Sequence, residues 1–458
     1  MPTYTSLRYR LNTAPRHTLE RPPHLARLKQ ANSPHRARPS SKMALARAMF
    51  GQLRTMRGAE DNDGVEPLRI GIIGATPLAI GLLQAAFSSK KVNVMAAAER
   101  DRDLLEAACE PEELERIKFY ETYNAMLQDP REDRCDAVFI GGCAATRHQW
   151  CVSAAQCHKH VLVSIPAAAE YESSKEMRDV CQAEDVALAD VCPFTHHART
   201  EEILMQINEK RFFGDVRRVE ATFTISATRE FLEGAGREAT AKDDPLGCLG
   251  DLGWACARIG KLVYGPELQP RSAQVIHSEA TAQNVPVDVT AVIYFGEGNS
   301  KPLHIHCSYV HPLQQHISIV GDNKILRCDD FAYPRFGKDV SYTVESFPAG
   351  DEGRAALVDL GQCVVSAVNR ARVFNAPSQR VTMLESFADL CLLENDDEWM
   401  RQGYVNKHQA RAAHAGLIVS TQGVVQALVQ SLRHPGTPIQ VPDDSQAEAM
   451  ASSRMRFD

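Results

Sequence analysis

A short loop at residues 74–79, GATPLA, contains the first residues with recognisable binding chemistry. It follows an apolar, β-branched run that predicts a buried parallel strand and precedes a helical pattern. Such a loop can hold a dinucleotide pyrophosphate, because glycines let the backbone approach and the helix N-terminus attracts the anion. Gly74 and Ala79 match the outer positions of G-x-G-x-x-[GA], but Thr76 replaces the central glycine. Thr76 could bind a phosphate with its hydroxyl, and Leu78 would then also lie at the cofactor. Alternatively, Thr76 could obstruct the phosphate, and the loop would be a turn that only closes a helix onto a sheet.

Two oppositely charged neighbours, Glu99 and Arg100, end the second predicted strand. An acid about 20 residues past the glycine loop accepts hydrogen bonds from both ribose hydroxyls, which favours NAD. An arginine there could instead bind the 2′-phosphate of NADP. The two residues therefore do not decide between NAD and NADP. A third alternative is that they form a solvated strand end without a cofactor role.

Three residues further along could take part in proton transfer or substrate binding: His197, Arg199 and Asp251. His197 could act as an acid near neutral pH, and Arg199 could bind a carboxylate through two hydrogen bonds. The alternative is that this Asp–Arg–His set only holds two domains together.

No metal site is expected from the sequence. His304 and His306 share one face of a predicted strand, with His311 and His316 nearby in sequence, but a third ligand cannot be placed from the sequence. The thirteen cysteines form no C-x-x-C pair, which indicates reduced thiols rather than a zinc site.

Two domains must position these residues. Over residues 68–195, short apolar runs alternate with helical patterns, which predicts right-handed βαβ units in a doubly wound parallel sheet. Over residues 196–442, longer runs alternate apolar and polar residues, which predicts an α/β domain with an open, mainly antiparallel sheet. Helices are expected at 355–370, 378–394 and 416–432, and residues 443–458 read as a polar tail.

Composition limits the function. Residues 1–67 form a basic extension, with twelve Lys/Arg and one acid before Glu60, whereas the whole chain carries a formal charge of −7. The body is therefore strongly acidic, which argues against nucleic-acid binding by the folded part. The extension is rich in Arg, Ser and Pro, which favours mitochondrial import, with plastid import as an alternative. It could instead be a solvated disordered tail or an uncleaved arm that wraps around a partner complex, which would leave a cytoplasmic location open. No run of about 20 apolar residues predicts a membrane span.

From residue 68 to about 442 the chain resembles the Gfo/Idh/MocA oxidoreductases, especially the plant and algal branch akin to dimeric dihydrodiol dehydrogenases. Eight segments occur in the family's order. They are RIGIIGA (69–75), TYNAMLQDP (122–130), DAVFI (136–140), HKHVLVSIP (158–166), HHART (196–200), FGDVRRVEATFT (213–224), LGCLGDLGW (246–254) and STQGVVQALVQSL (420–432). The resemblance implies a Rossmann domain for NAD(P), with His148 near the cofactor, and a second sheet that commonly pairs subunits.

The same resemblance shows where this chain departs from the family. The lysine that contacts cofactor and substrate falls on Ile165, and the glutamate before it falls on Ser164. The tyrosine or histidine that follows Asp251, an acid that matches a pocket position, falls on Ala255. Carbonyl reduction needs an acid and alcohol oxidation a base, and losing such a group costs about 10²–10⁴ in rate.

These replacements predict a catalytically degenerate protein that keeps the fold and has kept or lost its dinucleotide. It would act as a structural or interaction subunit, either as a homo-oligomer through the second sheet or within a larger complex such as an organellar assembly. The alternative is an active NAD(P)-dependent dehydrogenase of a sugar or diol that recruits another acid. A ligand-sensing regulator is a third class.

Overall fold

The computed structural model describes two sheets and the helices that cover them. It describes residues 66–107, 109–130, 135–232, 243–266, 268–334, 339–347, 367–374, 376–392, 406–434 and 436–442. The predicted polar tail and all but two residues of the basic extension lie outside these ranges.

The first sheet has six parallel strands in the order β3-β2-β1-β4-β5-β6. Its strands are β1 (Leu68–Ile73), β2 (Val92–Ala98), β3 (Lys118–Tyr120), β4 (Ala137–Ile140), β5 (His160–Val163) and β6 (Leu188–Asp190). All four residues of β4 are buried, as are most of β1 and β5, because both faces of the sheet are covered. The predicted doubly wound parallel sheet is confirmed.

Helices connect the strands of this sheet. They are α1 (Pro77–Phe87), α2 (Arg102–Glu106), α3 (Pro111–Leu114), α4 (Tyr123–Leu127), α5 (Ala144–Gln156) and α6 (Tyr171–Ala183). Alanine-rich α1 and β2 let the layers pack closely.

The second sheet has nine strands in the order β14-β13-β12-β11-β7-β10-β9-β8-β15. They are β7 (Arg218–Ser226), β8 (Pro270–Ala280), β9 (Pro286–Phe295), β10 (Lys301–Ser308), β11 (Val310–Val320), β12 (Lys324–Cys328), β13 (Val340–Ser346), β14 (Ala367–Val373) and β15 (Ile439–Gln440). Among the described strands of this second sheet, only β7 and β10 pair in parallel. This confirms the predicted mainly antiparallel second sheet.

The helices outside the first domain's βα units pack on both sheets. They are α7 (Ala198–Asn208), α8 (Lys210–Phe213), α9 (Arg229–Leu232), α10 (Trp254–Tyr264), α11 (Gln379–Cys391) and α12 (Lys407–Arg433). The fully buried α10 lies on the second sheet, so a Cβ added at Gly260 would come within 2.3 Å of Leu303 on β10. In contrast, α11 packs against α1 of the first domain.

The longest helix, α12, is long and apolar enough to cross a membrane by length and composition alone. In the structure it contacts α6, α10, β6 and β8, and 56% of its most apolar window is buried in the protein. It therefore packs as a core helix.

One predicted helix is partly wrong. Residues 367–373 form strand β14, paired with β13, whereas residues 355–366 lie outside the described residues. Five of the seven β14 residues are exposed, so the strand lacks the alternation of buried and exposed side chains that would have distinguished it from a helix.

Candidate functional site

The candidate cofactor crevice lies between β1 and β4, where the strand order of the first sheet reverses. Ligands of open α/β sheets bind at this switch point, outside the carboxyl ends of the strands. The two loops that follow β1 and β4 are in direct contact: a Cβ added at Gly141 would lie 2.2 Å from the Gly74 carbonyl oxygen. Gly74 itself has φ +80, a conformation that favours glycine. The sequence thus places glycines where this crevice requires them.

The side chain of Thr76 caps helix α1. Its hydroxyl accepts a hydrogen bond from the Ala79 N–H at 3.2 Å, while Leu78 is half-buried and Ala79 is buried. This arrangement satisfies one of the helix's unpaired N–H groups. The threonine that breaks the glycine pattern therefore has a local structural role.

An internal carboxylate holds the glycine loop. Asp101, which is 7% exposed, accepts hydrogen bonds from the N–H groups of Gly74 (3.3 Å) and Ala75 (2.9 Å) and from the Tyr123 phenol (2.9 Å). Burial, followed by the Asp101 charge, raises the pKa of Tyr123 and keeps the phenol protonated. Two amides that could bind a phosphate are thus already engaged.

A dinucleotide would therefore rely on the rest of this crevice. The N-terminus of the eleven-residue helix α1 faces the crevice with its positive end, which suits a pyrophosphate. When bound, a nicotinamide cofactor would supply the hydride in its reduced form or accept it in its oxidised form. The pyrophosphate of a dinucleotide therefore fits the N-terminus of α1 better than it fits the amides of the glycine loop.

The two charged residues at the end of β2 have different partners. Glu99 is exposed and forms an ion pair with Arg102 at 2.6 Å, and this hydrogen bond lowers the pKa of Glu99. The Arg100 guanidinium lies over the Tyr123 ring, 5.4 Å from its centroid. His148 on α5 reaches α6, where its Nε2 lies 2.9 Å from a Glu176 oxygen.

A buried arginine that sequence reasoning missed joins two loops of the site. The Arg147 guanidinium donates hydrogen bonds to the carbonyls of Gly141, Gly142 and Pro166. Arg147 stands beside His148, one turn into α5, and nothing in its local sequence separates it from a surface arginine. It holds the turn that carries Ile165 against the end of β4.

The segment that contains Asp251 lies against the same turn. Residues Leu249–Gly253 form a π-helical turn, and a Cβ added at Gly250 would lie 3.0 Å from Pro166. Ala255 is buried in the main apolar core, and Ile165 packs against that core. The structure thus brings the Ile165 turn and the Asp251 segment together.

Tyr309 is a polar partner of Asp251 that the sequence did not indicate. Its phenol donates a hydrogen bond to Asp251 Oδ2, and the residue is 2% exposed. Tyr309 lies between β10 and β11, which places a phenol beside the carboxylate although the residue at 255 is alanine. A phenol–carboxylate pair can donate or accept a proton.

His197 and Arg199 have structural partners. His197 Nδ1 accepts the Arg199 backbone N–H at 3.0 Å and caps α7. The Arg199 side chain, 1% exposed, binds the carboxylate and the backbone carbonyl of Asp330. These contacts tie α7 to the second sheet.

The parallel sheet and the loop at its switch point define the class of dinucleotide-binding Rossmann domains. Residues 68–190 match the model of the GFO_IDH_MocA family, described as an oxidoreductase family with an NAD-binding Rossmann fold. This match supports the resemblance to the Gfo/Idh/MocA oxidoreductases and NAD(P) binding as a property of the fold.

Relatives and solved structures extend the comparison. An uncharacterized oxidoreductase, ORF334, of Rhizobium meliloti is 28% identical over 158 residues, which make up 34% of this chain and 46% of that protein. The match thus spans about half of that relative. KijD10, a 3-ketoreductase from Actinomadura kijaniata solved with TDP-benzene and NADP, is 19% identical with a TM-score of 0.59, over 80% of this chain and 98% of its own. GenD2 from gentamicin A biosynthesis, solved with NAD, is 15% identical with a TM-score of 0.59, over 83% and 97%. Both domains therefore share the fold of these proteins.

Proposed function

We propose that this protein binds a nicotinamide dinucleotide but does not transfer hydride at enzymatic rates, and that it acts as a structural or interaction subunit. The proposal rests on the family resemblance, which aligns Ile165 and Ala255 with the family's Lys and Tyr/His. Neither side chain can hold or release a proton. A hydride transfer between carbonyl and alcohol without a proton partner loses about 10²–10⁴ in rate.

The structural contacts of His197 and Arg199, the residues that could replace the missing catalytic groups, support this proposal. A catalytic acid must be able to reach substrate, whereas His197 caps a helix and Arg199 binds Asp330 inside the protein. Removing either from its partner would leave a buried helix end or a buried charge unpaired. Structural roles therefore compete with catalysis at both positions.

One observation favours a second candidate, an active oxidoreductase of a sugar, diol or related CH–OH substrate. The Tyr309 phenol and the Asp251 carboxylate share a hydrogen bond next to the segment that contacts Pro166. In this case the Tyr309 phenol, 2% exposed in this structure, would have to become accessible to the substrate in order to protonate the developing alkoxide, and Asp251 would hold the phenol in place.

Cofactor titration and turnover assays separate the two candidates. We expect NADH or NADPH fluorescence to change on adding the purified full chain, and a panel of sugars, diols and ketones to show no turnover above buffer. Tyr309→Phe should then change neither result. Turnover by the native protein that falls about 10²–10⁴-fold in Tyr309→Phe would establish the active enzyme instead.

A matched control uses a tyrosine away from the site. Tyr294 lies half-buried on β9, so Tyr294→Phe should leave binding and turnover as in the native protein. Equal loss in both variants would indicate damage to the fold rather than a catalytic phenol. No fluorescence change with millimolar cofactor would contradict dinucleotide binding itself.

We further propose that residues 1–67 direct the protein to mitochondria, where it associates with itself through the second sheet or with a larger complex. The basic, acid-poor composition of this segment supports import. A fluorescent protein fused after residue 67 should co-localise with a mitochondrial marker, and the same fusion with the arginines changed to glutamine should remain in the cytosol. Plastid or cytosolic signal from the native segment would contradict this assignment.

Native mass measurement tests the association. The protein that lacks residues 1–67 should have the mass of a dimer or a larger species when light scattering is measured during size-exclusion chromatography. A monomer at micromolar concentration would exclude self-association, and failure to co-purify with other organellar proteins would then remove the subunit role.

A further inference from the structure

The face of the second sheet opposite α10 carries a cluster of histidines around one buried acid. On β10, Leu303 packs against Gly260 of α10, so His304 and His306, which alternate with the apolar residues, lie on the other face. Opposite His306 on β9 is Thr290, and Asp288 lies two residues away on the same face. The cluster therefore lies away from the side of the sheet that covers the dinucleotide domain.

Four strands contribute to this cluster. His306 Nε2 lies 3.0 Å from His311 Nδ1. Asp288 Oδ1 lies 3.7 Å from His306 Nδ1, and Asp288 Oδ2 lies 3.9 Å from His311 Nε2 and 3.8 Å from His277 Nε2. His311 comes from a bulge between Val310 and Gln314, which turns this residue of β11 toward β9. The residues are up to 34 positions apart in sequence, and the register of the sheet brings them close together.

Asp288 is buried without a full set of partners. It is 4% exposed, and its Oδ1 accepts no hydrogen bond from any residue that the structure describes. A buried carboxylate without compensation is costly, and such groups are normally paired or coordinate a metal. The three imidazoles around it are the groups that the structure provides.

We propose that Asp288, His306 and His311, with His277 as a fourth ligand, bind a divalent transition-metal ion, with Zn²⁺ as the expected ion. One ligand atom from each of the first three residues lies within 4.8 Å of the others, and His277 forms a second such group with Glu279 and Asp288. Zinc takes imidazole nitrogen and carboxylate oxygen at about 2.0–2.2 Å in a tetrahedron, whose edges are then about 3.4 Å. Metal binding would require side-chain rotations that bring one nitrogen of each ring and one carboxylate oxygen to these separations.

The donor set selects the class of ion. Ca²⁺ and Mg²⁺ require mainly oxygen ligands, whereas imidazoles suit zinc, copper and nickel. A hydrogen bond of 3.0 Å between Thr290 Oγ1 and His306 Nδ1 fixes that ring and leaves Nε2 toward His311. This is the orienting contact that metal-binding histidines usually have on their other nitrogen.

The ion would connect β8, β9, β10 and β11 on the open face. Its ligands His306 and His311 stand on either side of Tyr309, whose phenol binds Asp251 on the opposite face. We expect a structural site that fixes the β10–β11 connection, because its ligands come from four strands of a packed sheet.

Calorimetric titration of the metal-free full chain with zinc chloride tests the site. The protein should carry no polyhistidine tag and should be dialysed against EDTA first. We expect one equivalent of zinc to bind and to raise the melting temperature through linkage. Since loss of a group that only orients a ligand costs about 10–100-fold, His306→Ala and His311→Ala should lower the affinity at least about 100-fold.

His304→Ala is the matched control, because His304 lies on the same strand and face but outside the cluster. It should bind zinc as the native chain does. His311→Gln, at a partly exposed bulge, repeats the test if His306→Ala does not fold. Cobalt bound at this site should show no thiolate charge-transfer band, since cysteine is not a ligand. No zinc binding, equal affinity in all variants, or a thiolate band would each overturn the proposal.

Discussion

Replacing Arg258 by alanine is expected to lower the free energy of unfolding by about 3–5 kcal/mol, because it leaves a buried carboxylate without its cation. Arg258, 2% exposed on α10, donates to both oxygens of Asp190 at 3.0 and 2.6 Å. Its Nε also donates to Thr421 on α12, and the Trp254 indole donates to Asp190 at 2.9 Å. Chemical denaturation of the purified variant measures the loss.

A matched control is the exposed pair formed by Arg217 and Asp322. Arg217→Ala should cost only about 0–1 kcal/mol, since exposed ion pairs contribute little. If Arg258→Ala does not fold, Arg258→Lys keeps the charge, loses the paired hydrogen bonds and should give an intermediate loss. Equal stability of the Arg258 and Arg217 variants would show that the buried network does not stabilise the protein.

This network also concerns the site. Asp190 ends β6 of the dinucleotide domain, whereas α10 follows directly on the π-helical turn that carries Asp251. The buried pair therefore fixes the Asp251 segment relative to the first sheet. We infer that the buried Asp190–Arg258 pair stabilises the position of the Asp251 segment.

The parallel sheet could be predicted from the sequence because each buried strand is a continuous apolar run of neighbouring residues. A continuous apolar run such as β4 has no other common interpretation between two helical patterns. Short or exposed strands do not have this signal. Strand β3 has three half-buried residues, and β14 has mostly exposed ones, so the first was not predicted and the second was predicted as part of a helix.

The site was harder to predict, because its contacts join residues far apart in the chain. Asp101 binds the loop 27 residues before it, Arg147 binds a carbonyl 19 residues after it, and Tyr309 binds an acid 58 residues before it. No local spacing records such pairs. The cap formed by Thr76 was different, since a threonine before a proline at the first helical position is a helix-start signal.

Replacing Gly141 by alanine is expected to lower the free energy of unfolding by about 1–3 kcal/mol, the usual cost of forcing extra atoms into a packed site. The new Cβ would lie 2.2 Å from the Gly74 carbonyl oxygen, which is backbone and cannot rotate away. The two crevice loops must then separate, which moves the start of α1. We therefore expect dinucleotide affinity to fall by about tenfold, or 1.4 kcal/mol.

Gly81→Ala on α1 is the control, because the substitution is the same and the position belongs to the next element. There the added Cβ would meet only the Arg380 guanidinium at 3.1 Å, a flexible side-chain end. Alanine in a helix interior is more favourable than glycine by up to about 1 kcal/mol, so this variant should be as stable as the native chain or more so. Denaturation and cofactor fluorescence on both variants give the comparison. If Gly141→Ala kept native affinity, the dinucleotide could not depend on the contact between these loops, and the crevice at β1 and β4 would have to be abandoned as its binding site.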